Sequence, residues 1–218
     1  MIVLALDTAG VDCAAAVYDS DSDSVLGEVT ETIGKGHAEH LMAVVDGALA
    51  KAGVALNAVG RIAVTVGPGS FTGIRVGVAA ARGFALSLSV PAVGVTTLQV
   101  LAAAAQRQKP QIPVLAAMDA KRGEIYLQSF DSNGHARDEP RAVSIDDARA
   151  IGAAFDGTIT GSAATLLRDP ADDHTDRFPI AVVARLGAIA HLDGTRPKPL
   201  YLRGPDAKPQ VGYAISRV

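Results

Sequence analysis

Residues 64–75 of the chain read VTVGPGSFTGIR, and this stretch is the most informative part of the 218-residue sequence. A continuous apolar run of this kind is typical of a strand in a parallel sheet that is covered on both faces. The glycines that follow can adopt positive φ angles and the proline fixes one backbone dihedral, so the run ends in a tight turn. A helix is predicted directly after the turn. The stretch therefore predicts a strand–turn–helix unit of an α/β protein.

The turn itself is a candidate anion-binding loop. The residues that could take part are two glycines and two hydroxyl side chains at the start of the helix, Gly67, Gly69, Ser70 and Thr72. Free N–H groups at a helix N-terminus attract anions. The spacing matches neither G-x-x-x-x-G-K-[ST] nor G-x-G-x-x-G, however, and no lysine is placed to reach a phosphate. A purely structural turn and an anion site both remain open.

Hydrophobic periodicity outside this stretch predicts strands that alternate with helices. The predicted strands cover residues 2–6, 13–18, 28–33, 61–66, 92–95, 114–118 and 125–130. The predicted helices cover residues 38–52, 72–89, 97–106 and 180–192, and one more begins at Ile145 behind the N-cap Ser144. The polar stretch 106–111 predicts a boundary between a first domain, residues 1–108, and a second, residues 109–218, whose tail packs back on the first.

The helix predicted at residues 72–89 is apolar around nearly its whole circumference, which is typical of a buried helix. Its large side chains form one face, made of Ile74, Val78, Phe84 and Leu88. Its small side chains form the opposite face, made of Val76, Ala79, Ala80 and Gly83. Only Arg75 and Arg82 interrupt the apolar surface. Because an apolar face left in water marks an interaction site, we expect a neighbouring helix or another protein to cover the small-residue face.

Composition and charge exclude several classes of protein. The net charge is −3 and aromatic residues make up 4% of the chain, so we expect the chain alone to be a poor binder of nucleic acid. The single cysteine excludes an internal disulfide and suits a reducing compartment. No run of about 20 uninterrupted apolar residues and no basic leader are present, so neither a membrane span nor a secretion signal is predicted.

Candidate metal ligands are few and poorly spaced. His37 and His40 are three residues apart, whereas the zinc motif H-E-x-x-H needs four, so we interpret them as solvated side chains at a helix start. Asp7 follows the first strand and could coordinate a metal, orient a nucleotide or simply form a turn. Residues 119–124 predict a charged hairpin. The sequence predicts no metal site.

Five stretches of the chain, in order, resemble the TsaB (YeaZ) family. They read LALDTAG, GKGHAEHLM, VTVGPGSFTGIRVGVAAARGFALSLSVPAVGVTTL, AAMDAKRGEIYL and PLYLRGPDA. The similarity is strong over residues 2–105, returns at residues 114–127 and is weak over residues 131–195. It implies the actin/Hsp70-like ATPase (ASKHA) fold, an α/β class with two βββαβα-type subdomains of which the second is reduced.

The resemblance implies an accessory role. TsaB pairs with its catalytic relative TsaD and, with the ATPase TsaE, supports transfer of a threonylcarbamoyl group to the adenosine next to the anticodon of tRNAs. The catalytic relative holds a metal with an H-x-x-x-H pair, and this chain has no such pair. The resemblance therefore implies that this chain is a cytoplasmic, non-catalytic subunit without a cofactor of its own. ATP and a metal would be held by the TsaD-like and TsaE-like partners, and tRNA would be reached only through the complex.

Two sets of site residues follow from the resemblance. Asp7 and Thr8 resemble the first phosphate loop of the superfamily, so a degenerate nucleotide site is one expectation. The other is a partner surface, in which the small-residue face packs against the TsaD-like protein together with Met42, Val45 and Leu49 of the preceding helix. Alone, the chain would form a homodimer through the same surface. The alternative is an enzyme in its own right, either an actin-fold ATPase or kinase or a glycoprotease-like peptidase.

Overall fold

The computed structural model describes residues 1–167 and 176–203, which form two β-sheets with helices packed on them. The first sheet contains β1 (Ile2–Asp7), β2 (Asp12–Asp19), β3 (Ser24–Thr32), β4 (Arg61–Gly67) and β5 (Ala92–Thr96). The second contains β6 (Val114–Lys121), β7 (Glu124–Phe130), β8 (Arg141–Ser144) and β9 (Thr158–Thr160). The helices are α1 (His37–Ala52), α2 (Phe71–Leu88), α3 (Thr97–Gln108), α4 (Ile145–Ala154), α5 (Ala164–Leu167) and α6 (Ile180–Ile189).

The first sheet has helices on both faces. Its strand order is β3-β2-β1-β4-β5, with β1 antiparallel to β2 and parallel to β4. The adjacent β4 residues Ala63 and Val64 point to opposite faces of the sheet. The Cβ position of Gly77 lies 3.3 Å from Val64 Cγ2, so α2 covers one face. A Cβ on Gly187 would overlap the Ala63 side chain, so α6 covers the other face at very close range.

The second sheet repeats the topology of the first. Its order is β8-β7-β6-β9, again with an antiparallel first hairpin and a parallel fourth strand. Each half therefore runs strand, strand, strand, helix, strand, helix, and the second sheet has one strand fewer than the first. This duplicated arrangement is the actin/Hsp70-like fold, and it confirms the predicted fold class.

Helix ends are set by the residues that the sequence singles out. Gly53 ends α1 in the left-handed region, with a φ of 63°. The Ser70 side chain accepts a hydrogen bond from the Gly73 N–H at the start of α2, and Ser144 does the same for Asp147 at the start of α4. Such caps satisfy N–H groups that have no partner within the helix. The predicted cap at Ser144 is confirmed, and of the two hydroxyl side chains at the start of α2, Ser70 and Thr72, Ser70 is the cap.

Three elements of the second half were not predicted, and their length explains why. The strands β8 and β9 contain four and three residues, and the helix α5 contains four. None is long enough to show a hydrophobic period, and β8 lies at the edge of its sheet with partly exposed side chains. The last helix is shorter than predicted, since it ends at Ile189 rather than at residue 192.

The packing of α6 differs from a simple division of the chain at residue 108. The chain passes from the first sheet to the second between α3 and β6. α6 lies within the predicted second domain but packs on β1, β2 and β4 of the first sheet. The segment after α6 also contacts the first half, where the Leu200 N–H donates to the Val66 carbonyl at 2.8 Å. The predicted tail beyond residue 203 lies outside the described residues.

The helix α2 is, among the described elements, the one long and apolar enough to cross a membrane by length and composition. Its place in the fold explains this composition. Ile74, Val78 and Ala81 are buried against the sheet, while Arg75 and Arg82 are exposed on the outer side. A helix that covers a sheet and also presents a small-residue outer face is apolar on both sides.

Candidate functional site

The two candidate phosphate loops are in contact at the carboxyl ends of β1 and β4 in the first sheet. Because β1 and β4 are parallel neighbours, the loops that follow them leave the sheet at the same end. The Ser70 N–H donates to the Ala9 carbonyl at 2.8 Å. A Cβ on Gly69 would overlap that same carbonyl oxygen, so the backbones approach as closely as a glycine permits. The structure thus brings the predicted loop residues together.

The carboxylate of Asp7 is completely buried beneath these loops. Its Oδ1 accepts hydrogen bonds from the Ala9 N–H at 3.0 Å and from the Thr65 hydroxyl at 2.6 Å. Its Oδ2 has no hydrogen-bond partner among the described residues. Burial raises the pKa of Asp7 to about 6, although the hydrogen bonds from Thr65 and Ala9 oppose the shift. The carboxylate is held by the protein itself and does not face solvent.

Thr8 is buried as well, and it anchors α2. Its hydroxyl donates to the Gly73 carbonyl at 2.7 Å. A Cβ on Gly73 would overlap the Thr8 backbone carbonyl, and one on Gly77 would lie 2.5 Å from the Thr8 hydroxyl. These two glycines on the sheet face of α2 let the helix lie directly on the loop. Two glycines four residues apart, Gly73 and Gly77, are the sequence signal for this close contact, which the sequence analysis did not predict.

The gap between the two halves is bridged by the segment just before α6. The carboxylate of Asp176 accepts hydrogen bonds from the Ser162 N–H at 2.8 Å and from its hydroxyl at 2.6 Å. On the other side, the backbone carbonyl of Asp176 lies 2.9 Å from the Cβ position of Gly10, and the Phe178 ring lies 3.0 Å from it. Arg177 Nη1 donates to both oxygens of Asp12, at 2.9 and 3.0 Å. Burial raises the pKa of Asp176.

These contacts leave little of the candidate anion site open. Asp7, Thr8 and Gly67 are buried, whereas Gly69, Ser70 and Thr72 reach the surface. The exposed Ser70 hydroxyl already accepts the Gly73 N–H at 3.2 Å as the helix cap. The loops therefore hold one another and α2 in place.

The histidines of α1 do not form a pair. His37 is buried, and its Nε2 lies 3.2 Å from the Asp12 carbonyl. His40 is exposed, and its Nδ1 lies 3.1 Å from Glu31 Oε2. The prediction that both are solvated is wrong for His37, because the first turn of α1 packs against the end of β2. Over residues 1–167 and 176–203, no group of three metal-ligating side chains comes together.

The predicted partner surface is exposed in α2 and only partly so in α1. Ala79 and Gly83 are exposed, and Val76 and Ala80 are half-buried. On α1, Met42 is exposed and Leu49 is half-buried, but Val45 is 1% exposed. The assignment of Val45 to an exposed face is wrong, because it belongs to the same apolar stripe of α1 as Leu41, Val44 and Ala48.

The two arginines of α2 hold the segment that follows α6. Arg82 Nε donates to the Pro197 carbonyl at 2.8 Å, and Arg75 Nε donates to the Tyr201 hydroxyl at 2.9 Å. The Arg75 guanidinium also lies 3.8 Å from the centre of the Phe71 ring. The seven-residue spacing of the two arginines, which puts them on one side of the helix, was the sequence signal that they act together. Their partners were not predictable, since residues 197 and 201 are more than a hundred positions away.

Comparison with known proteins identifies the family. A family model described as TsaD, tRNA N6-adenosine threonylcarbamoyltransferase, matches residues 17–168. The chain is 36% identical over 136 residues to the "tRNA threonylcarbamoyladenosine biosynthesis protein TsaB" of Escherichia coli K12. It superimposes on the structure of YeaZ from Pseudomonas aeruginosa with a TM-score of 0.77 and 28% identity, over 92% of this chain and 99% of that one.

The chain belongs to the TsaB (YeaZ) family.

The match to curated TsaB proteins covers about three fifths of the chain. The alignment with the E. coli protein spans 62% of this chain and 58% of that protein, and the one with Haemophilus influenzae TsaB spans 58% and 52%. An uncharacterized protein of Mycobacterium tuberculosis is 32% identical over 213 residues, which is 95% of this chain and 94% of that protein. This member of the TsaB family therefore spans somewhat more than half the length of the curated TsaB proteins that it matches.

Proposed function

We propose that this member of the TsaB family is a non-catalytic subunit for threonylcarbamoyl transfer to the adenosine next to the anticodon of tRNAs. Family membership and the pathway in the names of its relatives support the reaction. The observation that carries the non-catalytic role is the closure of the phosphate loops. Asp7 and Thr8 are buried and Gly69 is in contact with Ala9, so the loops hold one another and support α2.

The partner would be a TsaD-like protein that packs on the outer side of α2. Ala79 and Gly83 present backbone and methyl groups that let a second helix approach to the lower end of the usual 8–10 Å. Met42, 47% exposed on α1, extends this apolar surface. We define the partner surface as Met42, Val76, Ala79, Ala80 and Gly83. Without the partner, a second copy of the chain would cover the same surface in a homodimer.

The remaining chemistry would lie on the other proteins of the complex. A TsaE-like ATPase and the TsaD-like subunit would hold ATP and the metal, and tRNA would bind through the assembled complex in the cytoplasm. We expect the isolated chain to contain no stoichiometric metal and to transfer no threonylcarbamoyl group. Stoichiometric zinc or iron in untagged protein, lost on substitution of His37 and His40, would contradict this.

Reconstitution tests the proposal directly. The TsaD-like and TsaE-like proteins of the same organism are incubated with ATP, the threonylcarbamoyl adenylate and an ANN-decoding tRNA, with and without this chain. Mass spectrometry of the digested tRNA should show threonylcarbamoyladenosine only when the chain is present. Equal modification without the chain would overturn the proposal. So would ATP or peptide hydrolysis by the chain alone that is lost in Asp7→Asn, which would favour the ATPase, kinase or peptidase alternative.

A further inference from the structure

A basic groove runs beside the C-terminal half of α2. It has a volume of about 810 Å³ and lies between α2, the edge strand β5 and residues 190–198. Its lining includes one large exposed apolar side chain of α2 and five ionisable side chains, Leu86, Arg82, His191, Asp193, Arg196 and Lys198. Leu86 is 74% exposed, although it is among the largest apolar side chains of the helix. We call this surface the basic groove.

The cations of the groove have no carboxylate partner among residues 1–167 and 176–203. Arg82, Arg196 and Lys198 are exposed, and none forms an ion pair within the described part of the chain. The one acidic side chain of the lining, Asp193, accepts the Thr195 N–H at 2.8 Å and the Thr195 hydroxyl at 2.7 Å. Three unpaired cations converge here in a chain whose net charge is −3. The local excess of positive charge points to an anionic ligand.

A fourth cation extends the row. Arg75 lies seven residues before Arg82 on the same side of α2, which at 1.5 Å per residue is a distance of about 10 Å along the helix. It too has no carboxylate partner among the described side chains. A row of cations of this length exceeds what one phosphate or one carboxylate needs. It suits a ligand that carries negative charges at regular intervals along a strand.

Two of the four cations, Arg75 and Arg82, are held in place before any ligand binds. The Arg82–Pro197 and Arg75–Tyr201 hydrogen bonds attach residues 197–201 to α2 at two points, and the Leu200–Val66 hydrogen bond attaches them to β4. Side chains that are already ordered lose little conformational freedom on binding. The two guanidinium groups use Nε for these bonds, and their terminal nitrogens have no hydrogen-bond partner among the described residues.

Aromatic rings stand at one end of the row. Phe71 is 55% exposed and Tyr201 is 47% exposed, with their ring centres 5.3 Å apart and the Arg75 guanidinium beside both. Ring faces and arginine planes next to a row of cations are the usual means of holding a nucleic acid strand. An acidic peptide would use the cations but leave the rings without a role.

We propose that the basic groove and its extension to Arg75 bind the sugar–phosphate backbone of the tRNA substrate. This inference rests on the proposed function. At about 100° per residue, Arg82 lies about 160° from Ala80 but only about 60° from Ala79 around α2. The partner surface therefore borders the row of cations at Ala79 and extends away from the groove towards Ala80. Four cations are too few to bind tRNA tightly in an acidic chain, and the groove therefore contributes within the complex.

The double variant Arg196→Glu/Lys198→Glu tests the groove, since neither side chain holds the 197–201 segment to α2. The complex of this chain with the TsaD-like protein is titrated with an unmodified ANN-decoding tRNA between 50 and 300 mM salt. We expect the variant complex to bind tRNA about tenfold more weakly at moderate salt, with a salt slope lower by about 1 to 2. The matched control is Lys109→Glu/Arg137→Glu, which makes the same charge change at exposed positions outside the groove.

The outcomes separate the groove from the proposed function. Wild-type modification activity reports on the function, and tRNA affinity of the variant reports on the groove. Unchanged tRNA affinity, or an equal loss in the control, would overturn the groove proposal while leaving the subunit role intact. Loss of binding to the TsaD-like protein with an unchanged melting temperature would overturn it too, because the groove would then be a protein-docking surface. Competition by polyglutamate as strong as by tRNA would favour an acidic peptide and count against the proposal.

Discussion

Asp7 shows, at the scale of one residue, how burial changes a carboxylate at the end of the first strand. Here Thr65 and the Ala9 N–H satisfy one oxygen, and the other has no partner in the described structure. A buried charge without full hydrogen bonding reduces stability, and the raised pKa of about 6 expresses this cost.

The substitution Asp7→Asn should therefore stabilise the protein near neutral pH. Because the folded-state pKa of Asp7 is raised from 3.8 to about 6, the folded state binds more protons than the unfolded state between these values. Stability should fall as the pH rises from about 4 to about 6 and then level off. A shift of two pKa units corresponds to roughly 3 kcal/mol, an upper limit for the gain from Asn at pH 7.5. Thermal melting between pH 4 and pH 8 measures it.

The gain should shrink towards pH 4, where Asp7 is protonated in the folded state and about half protonated in the unfolded state. Asp46→Asn, an exposed position of α1, is the control and should change the melting temperature little at any pH. A melting temperature that drops by several degrees in Asp7→Asn at pH 7.5 would show that the carboxylate contributes more than its burial costs.

At the scale of one element, α2 is a helix with two closely packed faces. Towards the sheet, Gly73 and Gly77 allow contact with Thr8, and on the outer side Gly83 has no atom within 4 Å of its Cβ position. Glycine inside a helix lowers stability unless close packing requires it. The first two glycines are required by the fold, whereas Gly83 is free to contact another molecule.

A pair of glycine-to-alanine changes separates these two roles. Gly73→Ala should destabilise the chain by several kcal/mol, because its methyl group would overlap the Thr8 carbonyl and lift α2 from the sheet. Gly83→Ala should stabilise the isolated chain by about 0.5–1 kcal/mol, since it adds helix propensity in open space. Urea denaturation of both variants measures the difference. Equal effects of the two substitutions would refute the orientation of α2.

The outer face of α2 can be tested with a charged side chain. We expect Ala79→Arg to abolish binding to the TsaD-like protein, because a long cation would stand in the centre of a small-residue contact. Ala79 is exposed, so the melting temperature should stay within a few degrees of the wild type. Ala80 is less suitable, since it is half-buried and packs against the core.

The control for this variant is Ala153→Arg, at an exposed position of α4 in the second half. It makes the same change and should leave binding intact. Undiminished capture of the partner by Ala79→Arg in a pull-down would exclude this face from the interface.

Sequence patterns predicted the helices and strands of this fold wherever these elements were long. α1 and α2 show clear periods, and their ends carry glycine or serine caps. Short strands such as β8 and β9 leave no such pattern. It was harder to predict which side of a helix is buried, because burial depends on the elements that pack against it. Val45 lies in the core, and His37 contacts the first residue of β2. The arginine contacts with residues 197–201 join distant parts of the chain, so no local pattern could indicate them.

At the scale of the whole molecule, the two halves are similar in topology but not independent. The first sheet needs α6, which comes from the end of the chain, to cover the face on which Ala63 lies. Arg61 extends this dependence, since its Nη1 donates to the Gly187, Ala188 and Ala190 carbonyls at 3.0, 2.7 and 3.2 Å. The last carbonyls of α6 are thereby capped by a residue of β4.

A fragment of residues 1–108 should therefore not fold stably. One face of its sheet would expose the apolar residues that α6 covers, and such a face promotes aggregation. Circular dichroism should show no cooperative melting of the fragment, and size-exclusion chromatography should show aggregates. Addition of a synthetic peptide of residues 176–203 is the companion experiment, which should restore part of the structure. A monomeric fragment with a cooperative transition would contradict the dependence on α6.

The segment that contains Asp176 and Phe178 contacts both halves of the protein, and this bears on how the halves can move. Two-lobed proteins that respond to nucleotides do so by opening and closing a hinge, which requires an empty gap between the lobes. In this protein that gap is crossed by chain tied to one lobe through Ser162 and to the other through Asp12 and Gly10. We therefore expect the two halves to keep one arrangement instead of opening and closing. Under the proposed function, any timing in the reaction would then come from the partners, and this chain would be the fixed reference against which they move.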